Sequence, residues 1–73
     1  MAKIKLTSTP QVIFDGTKKN YATTRQGPFK ILFSETEPDK TSFHLERKIY
    51  SENAKCWAWS SHEDITIDVS SWD

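Results

Sequence analysis

The clearest signal in the chain is an alternation of apolar and polar positions near its end. Ile65-Thr66-Ile67-Asp68-Val69-Ser70 places three aliphatic side chains on one face and three polar ones on the other, the two-residue period of a half-buried strand. Just before it stands Cys56-Trp57-Ala58-Trp59-Ser60, with Trp57 and Trp59 on one face and Cys56, Ala58 and Ser60 on the opposite one. The polar break Ser61-His62-Glu63-Asp64 between them predicts a hairpin around which the rest of the chain is arranged.

Earlier segments carry the same period. Phe29, Ile31 and Phe33 share a face, with Lys30 opposed; Leu32 on the lysine side breaks the pattern and implies cover there by another copy of the chain. Gln11-Val12-Ile13-Phe14 reads as a strand, Asp15-Gly16 as a turn, and Tyr21-Ala22-Thr23-Thr24 as the returning strand. Lys3 to Thr7 alternates and reads as a short strand or an ordered arm ending at Pro10. Glu35 to Lys40 is a polar loop, Ser51 to Ala54 a turn, and residues 71–73 a tail. Ser42 to Tyr50 is ambiguous. An extended segment aligns Phe43, Leu45 and Ile49, whereas a helix capped by Ser42 brings Leu45 and Ile49 together; the absence of helical period elsewhere favours the extended form. Six or seven short strands separated by turns predict an all-β chain, a small antiparallel β-sandwich or barrel, with residues 1–73 as a single domain and residues 1–10 as an optional arm.

Size sharpens this picture. A 73-residue chain buries only about 60% of the surface its unfolded form exposes, and domains this small commonly rely on a disulfide, a metal, association or very good packing. One cysteine excludes an internal disulfide, and Cys56, His44 and His62 make a poor zinc set. That leaves packing, aided by three tryptophans, two tyrosines and four phenylalanines, together with self-association. Ten basic and ten acidic residues cancel, so there is no overall field to favour nucleic acid or to keep copies apart. No apolar run is long enough for a transmembrane helix and the N-terminal residues lack a signal-peptide core, which points to a cytoplasmic origin.

Candidate chemistry is sparse. Cys56 with His44 or His62 could be called a Cys–His pair, but Cys56 reads instead as a small buried hydrophobe next to Trp57. Glu35, Glu37 and Asp39, and Glu63 with Asp64, lack a calcium-loop pattern and read as solvated. Asp15 to Lys19 lacks phosphate-loop spacing. Tyr21, Phe29, Phe33, Trp57 and Trp59, with Lys18, Lys19, Arg25 and Lys30, form a conceivable base-stacking platform, against which stand the neutral charge and the needs of the core. No catalytic, cofactor or metal residue is assigned. Trp57 is expected in the core, with Trp59 and Trp72 as surplus indoles for a protein interface completed by Leu32 and Tyr50.

The order of segments resembles small tailed-bacteriophage virion proteins. The resemblance runs through Gly27-Pro28-Phe29 leading a strand to Phe33-Ser34, a Pro38-Asp39 loop, Phe43-His44-Leu45, Cys56-Trp57-Ala58-Trp59-Ser60, and the alternating Ile65 to Val69. Trp59 stands where the family pattern often has arginine, and Leu45-Glu46-Arg47-Lys48 is charged where that pattern is richer in glycine and proline. The resemblance implies a non-enzymatic structural component of a phage or prophage virion, in head decoration, head–tail joining or the tail, assembled in the host cytoplasm. It implies a homo-oligomer, a trimer or larger ring, bound to capsid or tail proteins, with no cofactor. A phage-encoded adaptor or inhibitor of a host protein is the second expectation and a single-stranded nucleic-acid binder the third.

Overall fold

The computed structural model describes residues 2–61 and 63–73. Eight strands follow one another: β1 (Ala2–Leu6), β2 (Gln11–Asp15), β3 (Lys19–Thr23), β4 (Phe29–Phe33), β5 (His44–Glu46), β6 (Lys48–Glu52), β7 (Lys55–Trp59) and β8 (Ile65–Trp72). They form two antiparallel four-stranded sheets, one in the order β1-β8-β3-β6 and the other β2-β7-β4-β5. The all-β class and the sandwich agree with the alternation in the sequence.

The expected hairpin does not form. β7 pairs with β2 and β4, while β8 pairs with β1 and β3, so the two strands lie in different sheets. Each is an inner strand of its own sheet. Ser60 stands where the chain leaves one sheet for the other: its amide donates to the Thr7 carbonyl at 2.8 Å, and its hydroxyl donates to the Glu63 carbonyl at 2.8 Å. β3 likewise does not return beside β2. Gly16 makes the expected turn at φ 96°, but β3 crosses to the other sheet and starts at Lys19, two residues before the expected start at Tyr21.

The ambiguous 42–50 stretch holds no helix. It is two strands, β5 and β6, with the chain changing sheets at Arg47, whose carbonyl accepts from the Thr24 amide at 3.0 Å. The change of sheet is why neither a strand period nor a helix period fits the whole stretch. The expected turn at 51–54 shrinks toward Asn53, at φ 52°, because Ser51 and Glu52 finish β6. Residues Ser71 and Trp72 are not a tail: they pair with Asn20 and Lys19 as the end of β8. Ala2 to Leu6 pairs along β8 from Val69 to Ile65, the strand rather than the arm.

The core lies between the sheets and is built from Leu6, Ile13, Phe14, Ala22, Phe29, Ile31, Cys56, Ala58, Ile65, Ile67 and Val69, with Ile4 and Ile49 at its rim. Ile13 and Phe14 are both buried although adjacent in sequence. Strict alternation would expel one of them; a bulge between Val12 and Phe14 turns both inward. Burial of this apolar set, at about 25 cal/mol per Å², is the main stabilising term. The ion pairs Lys3–Asp68 (3.1 Å, its carboxylate half-buried but its lysine in solvent) and Lys5–Asp64 (3.2 Å, exposed) each contribute no more than about 1 kcal/mol.

Candidate protein-interaction surface

The tryptophan strand separates its faces as the alternation requires, but the core takes the other face. Cys56 and Ala58 are completely buried between the sheets, while Trp57 and Trp59 lie on the outer side of β7. Small residues are wanted inward here because two sheets pack about 10 Å apart and large side chains already come from Phe14 and Phe29. Trp57 is half-buried and its indole N–H donates to the Ser34 carbonyl at 3.0 Å. It is therefore not the pin of the core.

Trp59 is only 2% exposed and so is not a surface for a second chain, which corrects its place in the expected interface. Its cover comes from the same molecule. Phe43 meets the indole edge-on with centroids 6.1 Å apart, and the Lys30 ammonium lies 4.3 Å from the centre of the Phe43 ring. Lys30 is also the cross-strand partner of Trp59. Leu32 is half-buried, and opposite it in register stands Trp57, so this chain supplies a neighbour on the face where another copy was expected.

The other two predicted residues come together on the opposite sheet. Tyr50 on β6 and Trp72 on β8 are 51% and 43% exposed, and their rings lie 6.1 Å apart at 37°. They meet above β3, whose Tyr21 is also exposed and stands in register with Tyr50 on one side and Ser70 on the other. Lys19, flanked in register by Glu52 and Trp72, completes the patch. The Tyr50 hydroxyl donates to Glu52 Oε1 at 2.8 Å, and that bond with the nearby carboxylate raises the phenol's pKa. The alternation Lys48-x-Tyr50-x-Glu52 was the available signal for this face, hidden by the change of sheet at Arg47.

The proposed base-stacking platform is not assembled. Phe29 and Trp59 are buried, and Tyr21 lies on the sheet opposite Phe33 and Trp57. Burial pushes the Cys56 thiol up to about 12, so it carries no thiolate near neutral pH. His44 is exposed on β5, and His62 lies outside the described residues. Asp15 and Asp39 are held below the usual carboxylate range by the hydroxyl and amide of Thr17 and Thr41, within their own turns. Among the described residues no three His, Cys, Asp or Glu side chains converge as a metal site.

An open groove of about 350 Å³ is lined by Pro28, Lys30, Phe43, Leu45, Ser60 and Ile65 among others, and a more polar one of about 380 Å³ by Lys3, Arg25, Gln26, Thr66 and Asp68. No protein-family model, curated protein or solved structure matches the chain at a significant level. The functional reading therefore rests on surface geometry and on the order of segments in the sequence.

Proposed function

We propose that this protein is a non-enzymatic structural component that self-associates and binds other proteins of an assembly. The phage or prophage virion is the setting, on the resemblance of its segment order to small tailed-phage proteins. The observation that supports the reading best is the Tyr21, Tyr50 and Trp72 patch on the open face of a four-stranded sheet. Aromatic side chains bury large areas at low conformational cost and are enriched in the centres of protein interfaces. Zero net charge leaves little repulsion between copies.

The test is sedimentation velocity across micromolar to millimolar protein, combined with co-sedimentation with purified particles. Concentration-dependent association and particle binding are expected. A monomer throughout, without particle binding, refutes the reading.

The groove beside Phe43 and Leu45 favours one alternative, an adaptor or inhibitor that seats an apolar segment of a host protein. Recovery of a host protein whose binding is lost in Leu45→Asp, with the chain absent from particles, supports that alternative.

A further inference from the structure

The two sheets have four edges, β1 and β6 in one and β2 and β5 in the other. A free edge is a template for pairing with another chain, and proteins block unwanted pairing with lysines, bulges or very short edge strands. Three of the edges carry such a device. β1 presents Lys3 and Lys5, β2 is bulged between Val12 and Phe14, and β5 has three residues. β6 alone is five residues long in unbroken register, without lysine repetition or proline.

The direction of its free hydrogen-bonding groups follows from two bonds at its ends. The Thr24 amide donates to the Arg47 carbonyl at 3.0 Å, and the Asn53 amide donates to the Lys18 carbonyl at 3.0 Å. Groups alternate along an antiparallel strand, so residues 47, 49, 51 and 53 turn toward β3. Lys48, Tyr50 and Glu52 therefore turn their amides and carbonyls away from the sheet. The same three residues carry their side chains on the exposed face.

We infer that β6 is the edge through which two copies of this chain pair, antiparallel about a twofold axis at Tyr50. The sequence of the strand is self-complementary in that register and no other. Tyr50 meets Tyr50 of the second copy, and Lys48 of each copy stands opposite Glu52 of the other. All three residues with outward groups then exchange both main-chain bonds, and two cross-strand ion pairs fix the register. The same operation on β1, centred at Ile4, sets Lys3 against Lys5 and is repulsive. The result is a continuous eight-stranded sheet that joins the two Tyr50–Trp72 patches on one face. An edge pair of this kind is closed, so by itself it gives dimers, and a trimer or larger ring requires a second contact. This inference deepens the self-association reading and rests on it.

The experiment measures the dimer constant by analytical ultracentrifugation at low salt for the wild type and four variants. Tyr50→Pro removes an outward amide without removing a bond to β3, which an edge strand tolerates. It should fold, by circular dichroism, and lose dimerisation by more than tenfold. Lys48→Glu and Glu52→Lys each set like charges opposite one another and should weaken the dimer about tenfold. The doubly exchanged chain, K48E with E52K, should recover wild-type affinity, an outcome that misfolding cannot imitate. A wild-type dimer whose constant stays within twofold in every variant overturns the β6 pairing and leaves self-association through another face standing. A wild type that remains monomeric at millimolar concentration overturns both.

Discussion

Phe43 stands edge-on over Trp59, ring centroids 6.1 Å apart and planes at 76°, closing a second apolar cluster on the outside of the sheet. Trp59 is thus as buried as a core residue while lying on the face away from the core. Trp59→Ala is expected to cost about 3–5 kcal/mol, the usual range for truncating a buried tryptophan. A domain of this length has a total stability of roughly 4–11 kcal/mol, so the loss should be close to unfolding it. Phe43→Ala, which removes only a lid, should cost less and should raise the solvent exposure of Trp59. Urea denaturation followed by tryptophan fluorescence reads both effects.

Trp72 should behave in the opposite way. It is exposed at the end of β8 and touches Tyr50 alone among the aromatic rings. Trp72→Ala should therefore change the stability of the monomer by no more than about 1 kcal/mol. If the aromatic face is the working surface, the same substitution should weaken particle binding or self-association well beyond that. Parallel denaturation and sedimentation separate the two quantities. A large loss of monomer stability would show that the Tyr50–Trp72 contact is structural.

These two tryptophans show how far the chain could be read from its letters. Period two identified the faces of β7 correctly, because side chains of a strand must alternate. It could not say which face is inward. Trp57 is expected in the core, yet the space between the sheets is filled by Phe14 and Phe29, and Cys56 and Ala58 fit the remainder. The strands themselves were legible, and their partners were not. β7 and β8 read as a hairpin because they are close in sequence, and nothing local distinguishes a turn within a sheet from a corner between sheets. Of the expected interface residues, Tyr50 and Trp72 do converge, through a register with β3 that no single strand reveals. Leu32 and Trp59 face the other way, toward cover supplied by Trp57 and Phe43.

Cys56 gives a prediction for pH. Burial raises the thiol's pKa from the ordinary 9.0 to about 12, so the folded state holds the proton more tightly than the unfolded state does. Below about pH 9 both states keep the proton and the thiol does not affect the balance. Between about pH 9 and about pH 12 the unfolded chain ionises first, and stability falls. Cys56→Ala should remove that part of the alkaline loss, as measured by denaturation midpoints across the range. In the native protein a thiol reagent at pH 8 should react only as fast as the chain opens, and urea below the midpoint should accelerate the reaction.

The Asp39 turn gives the acidic counterpart. Asp39 Oδ1 accepts the Thr41 hydroxyl at 2.6 Å and the Thr41 amide at 2.9 Å, and both bonds favour the carboxylate. The folded pKa lies below the ordinary 3.8, so the turn's contribution is complete above that value and is lost as pH falls through the lower one. Thr41→Val removes the hydroxyl bond but keeps the amide. The Asp39 carboxyl should then titrate closer to 3.8 in a carbon-13 NMR titration, with the remaining depression owed to the amide. An unchanged titration would mean that the side-chain bond does not persist in solution.

Gly16 tests the corner that sends the chain from β2 to β3. Its φ of 96° lies in the left-handed region, where a Cβ is strained whatever the surrounding space. The space itself would admit it, because an added Cβ would sit in ordinary van der Waals contact, 3.4 Å from the Lys55 backbone nitrogen and 3.6 Å from the Lys55 Cβ. Gly16→Ala should destabilise the fold by roughly 1–2 kcal/mol from the conformational term alone. Gly27 provides the control, since it has open space around its Cβ position and no positive φ. Gly27→Ala should be neutral or slightly stabilising, by up to about 1 kcal/mol, through the reduced freedom of the unfolded chain. Thermal denaturation of the two alanine variants side by side decides the matter: equal effects would place the strain at Gly16 in doubt.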